Sequence, residues 1–378
     1  MEERKMILKM IEDGKITAEE GVKLLSAMEK PSEPTKEATE GNKVETERSL
    51  STEVNWDEGE KERKRSRERD RERNRYGFDP TKLTGFFESA IQKIKDFDLD
   101  FNFGPHVVVD HVFQHRDLSP KSMDVSLENG SVNILPWDEP DVRIECKAKV
   151  YRVKNTDEAR SLFLQEALFR VNERKVLFQT KVKSIKVDAT IYVPRTAFDS
   201  IKLYTFNGSL KGDSLNVDTL DVNTLNGGII FEGIKAKKVL AETVNGEIEL
   251  QQGDVDICDA KTVNGSITIT GQVQDVDAET VNGSITYEID RLSESGYADF
   301  KAMTGSIHLV VSKSLRVEGK LKTNVGSYTC DLTSFEVLEE KKDFAQKTMS
   351  FVGNQDQSPR VKIVALTNTG SIRVKDRS

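Results

Sequence analysis

The chain has 378 residues, room for two or three domains, yet with 36% hydrophobic and 32% charged residues it is too polar for one compact globule, so part of it is expected to be extended or disordered. The formal net charge is −8, and the three cysteines, Cys146, Cys258 and Cys330, are too few and too widely spaced for a disulfide framework or a CxxC metal pair. The opening MEERKMILKMIEDGK lacks the apolar core of a signal peptide, and no run of about 18 apolar residues occurs anywhere. The expectation is therefore a soluble cytoplasmic protein without a transmembrane segment, with cell-surface display or release by a non-classical route as the alternative.

Residues 1–30 read as a helical hairpin. Ile7, Leu8, Met10 and Ile11 form one apolar stripe, Asp13-Gly14-Lys15 a turn, and Thr17 with Glu20 a capping box before Val22, Leu24, Leu25 and Met28. So short a hairpin cannot bury a sufficient core alone, which points to self-association through Ile7, Ile11, Leu24 and Leu25. Residues 31–80 read as a disordered charged linker, including DEGEKERKRSRERDRERNR from Asp57 to Arg75, whose near-balanced charges fit a solvated segment better than a nucleic-acid or lipid patch. In residues 81–104, Phe86, Phe87, Ala90, Ile91, Ile94 and Phe97 share one helical face, and Phe97, Leu99, Phe101 and Phe103 then alternate as a strand. This segment is expected to pack on the following domain and cap its end; an interfacial membrane helix is the other reading, disfavoured by the lack of a basic face.

From residue 105 to 378 the chain reads as β-structure. Strands are expected at 107–109, 122–127, 131–135, 142–150, 176–178 and 185–193, with a helix capped by Thr156 and faced by Leu162, Phe163, Ala167 and Leu168. A repeat follows: TFNGSL, TLNGGI, TVNGEI, TVNGSI and TVNGSI place Asn207-Gly208, Asn226-Gly227, Asn245-Gly246, Asn264-Gly265 and Asn282-Gly283 on a pitch of 18 or 19 residues. Degenerate copies end at Gly305, Gly326 and Gly370, and LENGSVNI around Gly130 is an isolated first copy. Apolar and polar residues alternate on both sides of each Asn-Gly step, so strands meet at a corner that glycine turns with positive φ. A β-sandwich of hairpins also uses Asn-Gly turns. The fixed pitch favours a parallel β-solenoid with the asparagines stacked in one structural column. Residues 336–358 read as a polar interruption before strands at 361–366 and 371–374.

Little in the chain points to catalysis. His111 and His115 share a strand face without a nearby cysteine or paired carboxylate, a weak metal site. Asp221, Asp259 and Asp277 recur five residues before the corner asparagine but skip Leu240, and they read as solvated turn carboxylates. No phosphate-binding or nucleophile-elbow motif stands in a suitable setting. No cofactor is expected. Residues 205–290 hold 15 acidic against 5 basic side chains, a net of −10, which disfavours nucleic acid and favours a cationic partner. Asp254, Asp256, Asp259, Asp275 and Asp277 are the candidate acidic binding surface.

MILKMIEDGKITAEEGVKLLSAME resembles the N-terminal module of the YvlB and LiaX proteins of Gram-positive bacteria, related to small SHOCT-like oligomerisation modules. IYVPRTAFDSIKLYTFNGSL, the Thr-Val-Asn-Gly rungs and the closing LTNTGSIRV are similar to the adhesin-like β-solenoid domain that follows it there. The resemblance implies a non-enzymatic role in the cell-envelope stress response, with recognition of membrane-active antimicrobial peptides, and supplies no catalytic residues. Against this leading expectation stand a solenoid polysaccharide-active enzyme using Asp256, Asp259 or Asp277, and a structural surface adhesin.

Overall fold

A computed structural model describes residues 104–377 apart from positions 117, 119, 173, 344 and 345. The expected hairpin with Ile7, Ile11, Leu24 and Leu25, the charged linker and the helix of residues 81–103 lie outside the described residues.

The first part of the described chain builds one end of the molecule. It comprises β1 (His106–His115), β2 (Ser122–Asn129), β3 (Val132–Trp137), β4 (Val142–Tyr151), α1 (Thr156–Glu166), β5 (Ala167–Asn172), β6 (Lys175–Thr180) and β7 (Ile185–Pro194). The winding part follows: β8 (Phe198–Asn207), β9 (Leu210–Asp213), β10 (Asn216–Asn226), β11 (Ile229–Glu232), β12 (Lys235–Asn245), β13 (Ile248–Asn264), β14 (Ile267–Asn282), β15 (Ile285–Ile289), β16 (Gly296–Thr304) and β17 (Ile307–Val311). The chain closes with β18 (Arg316–Val325), β19 (Tyr328–Asp331), β20 (Phe335–Asp343), β21 (Gln346–Gly353), β22 (Arg360–Thr369) and β23 (Ile372–Asp376).

Each rung is a long strand, an Asn-Gly corner, a short strand and a second corner. Long segments pair with long segments and short with short, in parallel and one repeat apart, β13 and β14 each running continuously through the second corner so that one strand carries both: Asn207 is level with Asn226, Asn226 with Asn245, Asn245 with Asn264, and Asn264 with Asn282. This is the parallel β-solenoid, not the sandwich of hairpins. Where the pitch shortens to 18 residues, the pairing of β13 with β14 shifts between Leu250 and Gly253, so the missing residue is absorbed at the second corner.

Between the two sheets lies a core one side chain deep from each. Because alternation points every second residue inward, each rung adds one residue to the same column: Ile229, Ile248, Ile267, Ile285, Ile307 and Ile372 are all fully buried. Burying each contributes roughly 1.5–3 kcal/mol. No single rung has a core of its own, so stability comes from stacking.

Two departures from sequence order close the stack. The isolated copy at Gly130 stacks directly on the first continuous rung, with Asn129 level with Asn207 across 78 residues of chain. At the other end β22 and β23 slot between β16–β17 and β18–β19, pairing in parallel with both.

Antiparallel strands appear at both ends. β1 pairs with β4 and β4 with β7 on the short-strand sheet, β5 pairs with β6 on the other, and α1 closes the gap with Ala159 and Phe163 fully buried. Phe163 faces His111 and Phe113 at ring centroids of 6.1 and 6.2 Å. The helix differs from expectation at both ends. Asn155, not Thr156, is the N-cap, its Oδ1 accepting the Glu158 N–H at 2.9 Å, in line with the stronger capping preference of Asn. Ala167 and Leu168, expected on the helix, begin β5 instead. The expected polar interruption at 336–358 is mostly the hairpin β20–β21, which pairs antiparallel with β18.

Candidate functional site

The Thr-x-Asn-Gly motif is a corner device with three contacts per rung. Each asparagine Nδ2–H donates to the Oδ1 of the previous rung, running from Asn282 through Asn264, Asn245, Asn226 and Asn207 to Asn129 at 2.7–2.9 Å. The threonine hydroxyl two residues earlier donates to the glycine carbonyl one rung down: Thr224 to Gly208, Thr243 to Gly227, Thr262 to Gly246 and Thr280 to Gly265. That same carbonyl explains the glycine. At Gly227, Gly246, Gly265 and Gly283, φ lies outside the left-handed range, and a Cβ would be driven into the carbonyl of the glycine below. The expectation of positive φ is thus corrected at these four corners, where close approach of backbone to backbone excludes any side chain, while Gly208 has a φ of 158° and the copies at Gly130, Gly305, Gly326 and Gly370 have φ of 123, 145, 154 and 153°. Asn207, Asn226, Asn245, Asn264 and Asn282 consequently spend their amides on one another.

Positive φ also recurs at the second corner. Ser214, Gly233 and Gln252 have φ of 52°, 63° and 51° and recur every 19 residues. Sequence reasoning missed this corner because Ser, Gly and Gln share no motif; the recurrence of the pitch is the only signal.

Beside the second corner lies an exposed acidic edge. Asp199, Asp218, Lys237 and Asp256 stack at one level of successive long strands and all are exposed. Lys237 pairs with Asp218 at 2.9 Å, and Asp218, Asp256 and Asp199 raise its pKa. Asp213, Glu232 and Asp254 flank the column, Asp254 standing 3.8 Å from Lys235. Of the five carboxylates expected on one binding surface, only Asp254 and Asp256 belong here.

The other three are elsewhere. Asp275 accepts the Tyr297 N–H at 3.0 Å. Asp259 and Asp277 stand mid-strand at one level with Asp299, on the outer face of the long-strand sheet, in an ion cluster that is largely buried but leaves the Lys261 and Asp299 side chains 23 and 22% exposed. Lys261 meets Asp259 at 3.1 Å, and Lys301 meets Glu279 at 3.0 Å and Asp299 at 3.1 Å. The reading of Asp259 and Asp277 as solvated turn carboxylates is therefore overturned. Four carboxyls face two ammoniums. Burial first, then Glu279 and Asp259, push the Asp277 carboxyl up to about 7, so it holds a proton below neutrality and is about half protonated near it, which offsets part of the acid excess. For Lys301 burial works against the charge, but Asp299, Glu279 and Asp277 outweigh it and hold its pKa above the usual value.

An open cleft of about 980 Å³ beside the capped end is lined by Asp110, His111, Glu145, Lys147, Arg160 and Asp188 among others. Burial and then Arg160 lower the His111 pKa, and His115 turns its Nδ1 toward the Arg116 carbonyl at 3.0 Å. Among the described residues no three metal-ligating side chains converge, and burial pushes the Cys146 thiol up to about 12, far from thiolate chemistry. No helix among the described residues is long and apolar enough to cross a membrane.

Comparison with known proteins agrees with this architecture. Residues 120–375 match the Toastrack DUF4097 family, and residues 2–33 match a SHOCT-like domain. Protein YvlB of Bacillus subtilis (strain 168) is 35% identical over 392 residues, covering 99% of this chain and 98% of that protein. Among solved structures, a candidate adhesin from Bacteroides fragilis NCTC 9343 is 12% identical with a TM-score of 0.39, covering 72% of this chain and 97% of its own. A protein from Parabacteroides distasonis ATCC 8503 described as lipid binding is 8% identical with a TM-score of 0.38, covering 71% and 97%. The chain belongs to the Toastrack DUF4097 family, with a SHOCT-like segment at its start.

Proposed function

We propose that this protein is a non-enzymatic binding and regulatory scaffold of the cell-envelope stress response, whose solenoid presents the acidic edge to a cationic membrane-active peptide or envelope partner. The observation that carries this reading is the exposed column of Asp199, Asp218 and Asp256 around Lys237, flanked by Asp213, Glu232 and Asp254. A stack held rung to rung by paired backbones keeps these side chains on successive strands ~4.8 Å apart, Lys237 standing between Asp218 and Asp256, so the net acidic field adds along the axis. The SHOCT-like match at residues 2–33 supports self-association through the segment bearing Ile7, Ile11, Leu24 and Leu25, which would multiply the edge. Cytoplasmic residence belongs to the same proposal, and fractionating cells into cytosol, membrane and medium tests it.

The binding test is a salt titration of an amphipathic lysine-rich peptide against the full chain and against the variant Asp199→Asn/Asp218→Asn/Asp254→Asn/Asp256→Asn. Affinity is expected to fall with salt, because exposed charges are screened over about 8 Å at physiological ionic strength, and to drop at least about tenfold in the variant. Equal binding by both proteins at every salt concentration refutes the acidic edge as the binding surface.

A further inference from the structure

Among the described residues the two sheets end in four edge strands, β5 and β20 on the long-strand sheet and β1 and β19 on the short-strand sheet. An edge strand offers unpaired N–H and C=O groups to any extended chain, and folded proteins blunt such edges with charges, bulges or shortness. Three of the four are blunted here. β5 and β19 have only six and four residues. β20 carries Glu339, Glu340, Lys341 and Lys342 and a register shift between Val337 and Glu339. β1 is the exception: its ten residues, HVVVDHVFQH, pair with β4 in unbroken register, and they include Asp110 but no other carboxylate and no lysine or arginine. In an antiparallel ladder each residue turns both backbone groups to one side and the next residue to the other, so half of β1 points them away from β4. Val108 and Val112 on the outer face of this edge are 40 and 46% exposed, and Leu164 on the adjoining α1 is 42% exposed.

We propose that β1 is an interaction edge on which β1 of a second copy of this chain docks antiparallel, about a two-fold axis normal to the sheet at His111, so that two short-strand sheets become one. The sequence of the strand selects that occupant. Such an axis keeps outward residues outward, so Val109 meets Phe113 of the second copy on the core side, while Asp110 meets Val112 and Val108 meets Gln114 on the outer side. No like charges stand opposite each other. A slip by one residue turns every side chain to the wrong face. A slip by two sets Asp110 against Asp110 in one direction, and in the other shortens the paired stretch from 107–115 to 109–115. The SHOCT-like match at residues 2–33 supports self-association, which raises the local concentration of a second copy. The pairing does not depend on the acidic edge at the second corner.

Amide hydrogen exchange and cross-linking of the full chain test it. The β1 amides that point away from β4 are expected to exchange slowly, and in Val108→Lys/Val112→Lys at least tenfold faster. Amides bonded to β4 stay slow in both proteins, which shows that the strand remains docked on its own sheet. In a Cys330→Ser background, mild oxidation of Asp110→Cys/Val112→Cys is expected to give a covalent dimer, because each thiol faces the other position of the second copy across one strand spacing. Two thiols at 110 and 112 of the same strand stand too far apart to join. Val108→Cys alone is expected to stay reduced, since its counterpart lies six residues away along the ladder, about 20 Å. Fast exchange of the outward-pointing amides in the unaltered chain overturns the proposal, as does a failure of Asp110→Cys/Val112→Cys to cross-link or a Val108→Cys chain that cross-links as readily. Slow exchange that persists in Val108→Lys/Val112→Lys without a disulfide between chains assigns the edge to a strand of the same chain and also overturns it.

Discussion

At the scale of single residues, glycines on this stack answer two different demands, and substitution separates them. Gly265 is fixed by contact, since a Cβ meets the Gly246 carbonyl; Gly233 is only favoured by conformation, with φ of 63°, which Ser214 and Gln252 also adopt at the same corner, and nothing closer to a Cβ than 3.4 Å. Gly265→Ala is expected to cost about 3 kcal/mol or more, as overpacking against immovable backbone does, and Gly233→Ala about 1–2 kcal/mol. Urea denaturation of the two variants checks the order, and equal losses would remove the distinction. The sequence displayed the Thr, Asn and Gly columns plainly because each must be conserved in type from rung to rung to make its bond. It did not display why glycine was needed, since close approach and positive φ select the same residue. Nor did it show the fate of Asp259 and Asp277: a carboxylate in a strand reads as solvent-facing whether or not that face is covered.

Asp277 gives the protein a pH dependence with a definite sign. Unfolded, its carboxyl ionises near pH 4. Folded, burial with Glu279 and Asp259 beside it raises that to about 7. Between those values the folded chain holds a proton that the unfolded chain has released, so this group makes stability fall as pH rises from about 4 to about 7 and adds nothing further above that. Asp277→Asn places a neutral group there at every pH. The variant is expected to gain on the parent protein from pH 4.5 to 8, measured as the difference between urea midpoints, and a difference independent of pH would show that Asp277 is ionised throughout.

At the scale of elements, legibility followed burial. Strands with one face in the core, such as β2, β4 and β7, alternate strictly and were readable; β20 is exposed along its entire length, with Val337 and Leu338 at 44 and 61%, so no alternation marked it. Its charges, Glu339, Glu340, Lys341 and Lys342, looked like a polar interruption and instead protect a sheet edge against pairing with other chains. The boundaries of α1 shifted for a similar reason. Thr156 and Asn155 are both capping residues, and the bond from the Glu158 N–H to Asn155 Oδ1 decides between them. Asn155→Ala is expected to cost about 1 kcal/mol, and Thr156→Ala less than half of that. Thermal unfolding of both variants tests the assignment.

At the scale of the whole molecule, pitch and composition pointed to a solenoid, but not to the order in which its rungs stack. Spatial order departs from chain order where a later segment completes hydrogen bonds that an earlier one leaves open, and no local signal in residues 360–376 records that neighbours lie on both sides. The consequence is a single closed stack: the rung of β22 and β23 joins β16–β17 to β18–β19, so that the last residues of the domain tie its interior together. Engineered disulfides measure this directly. Ser371 and Ser327 face each other on adjacent rungs with hydroxyls 3.2 Å apart, whereas Ser306 is separated from Ser327 by the rung that carries Ser371. Adjacent strands stand about 4.8 Å apart, within disulfide reach; two rungs stand about 9.6 Å apart, beyond it. In a Cys330→Ser background, the pair Ser327→Cys/Ser371→Cys is predicted to oxidise readily within one chain, raising the unfolding temperature, while Ser306→Cys/Ser327→Cys stays reduced. Ready oxidation of the second pair and not the first would mean that the rungs stack in chain order and would contradict the single interlocked scaffold.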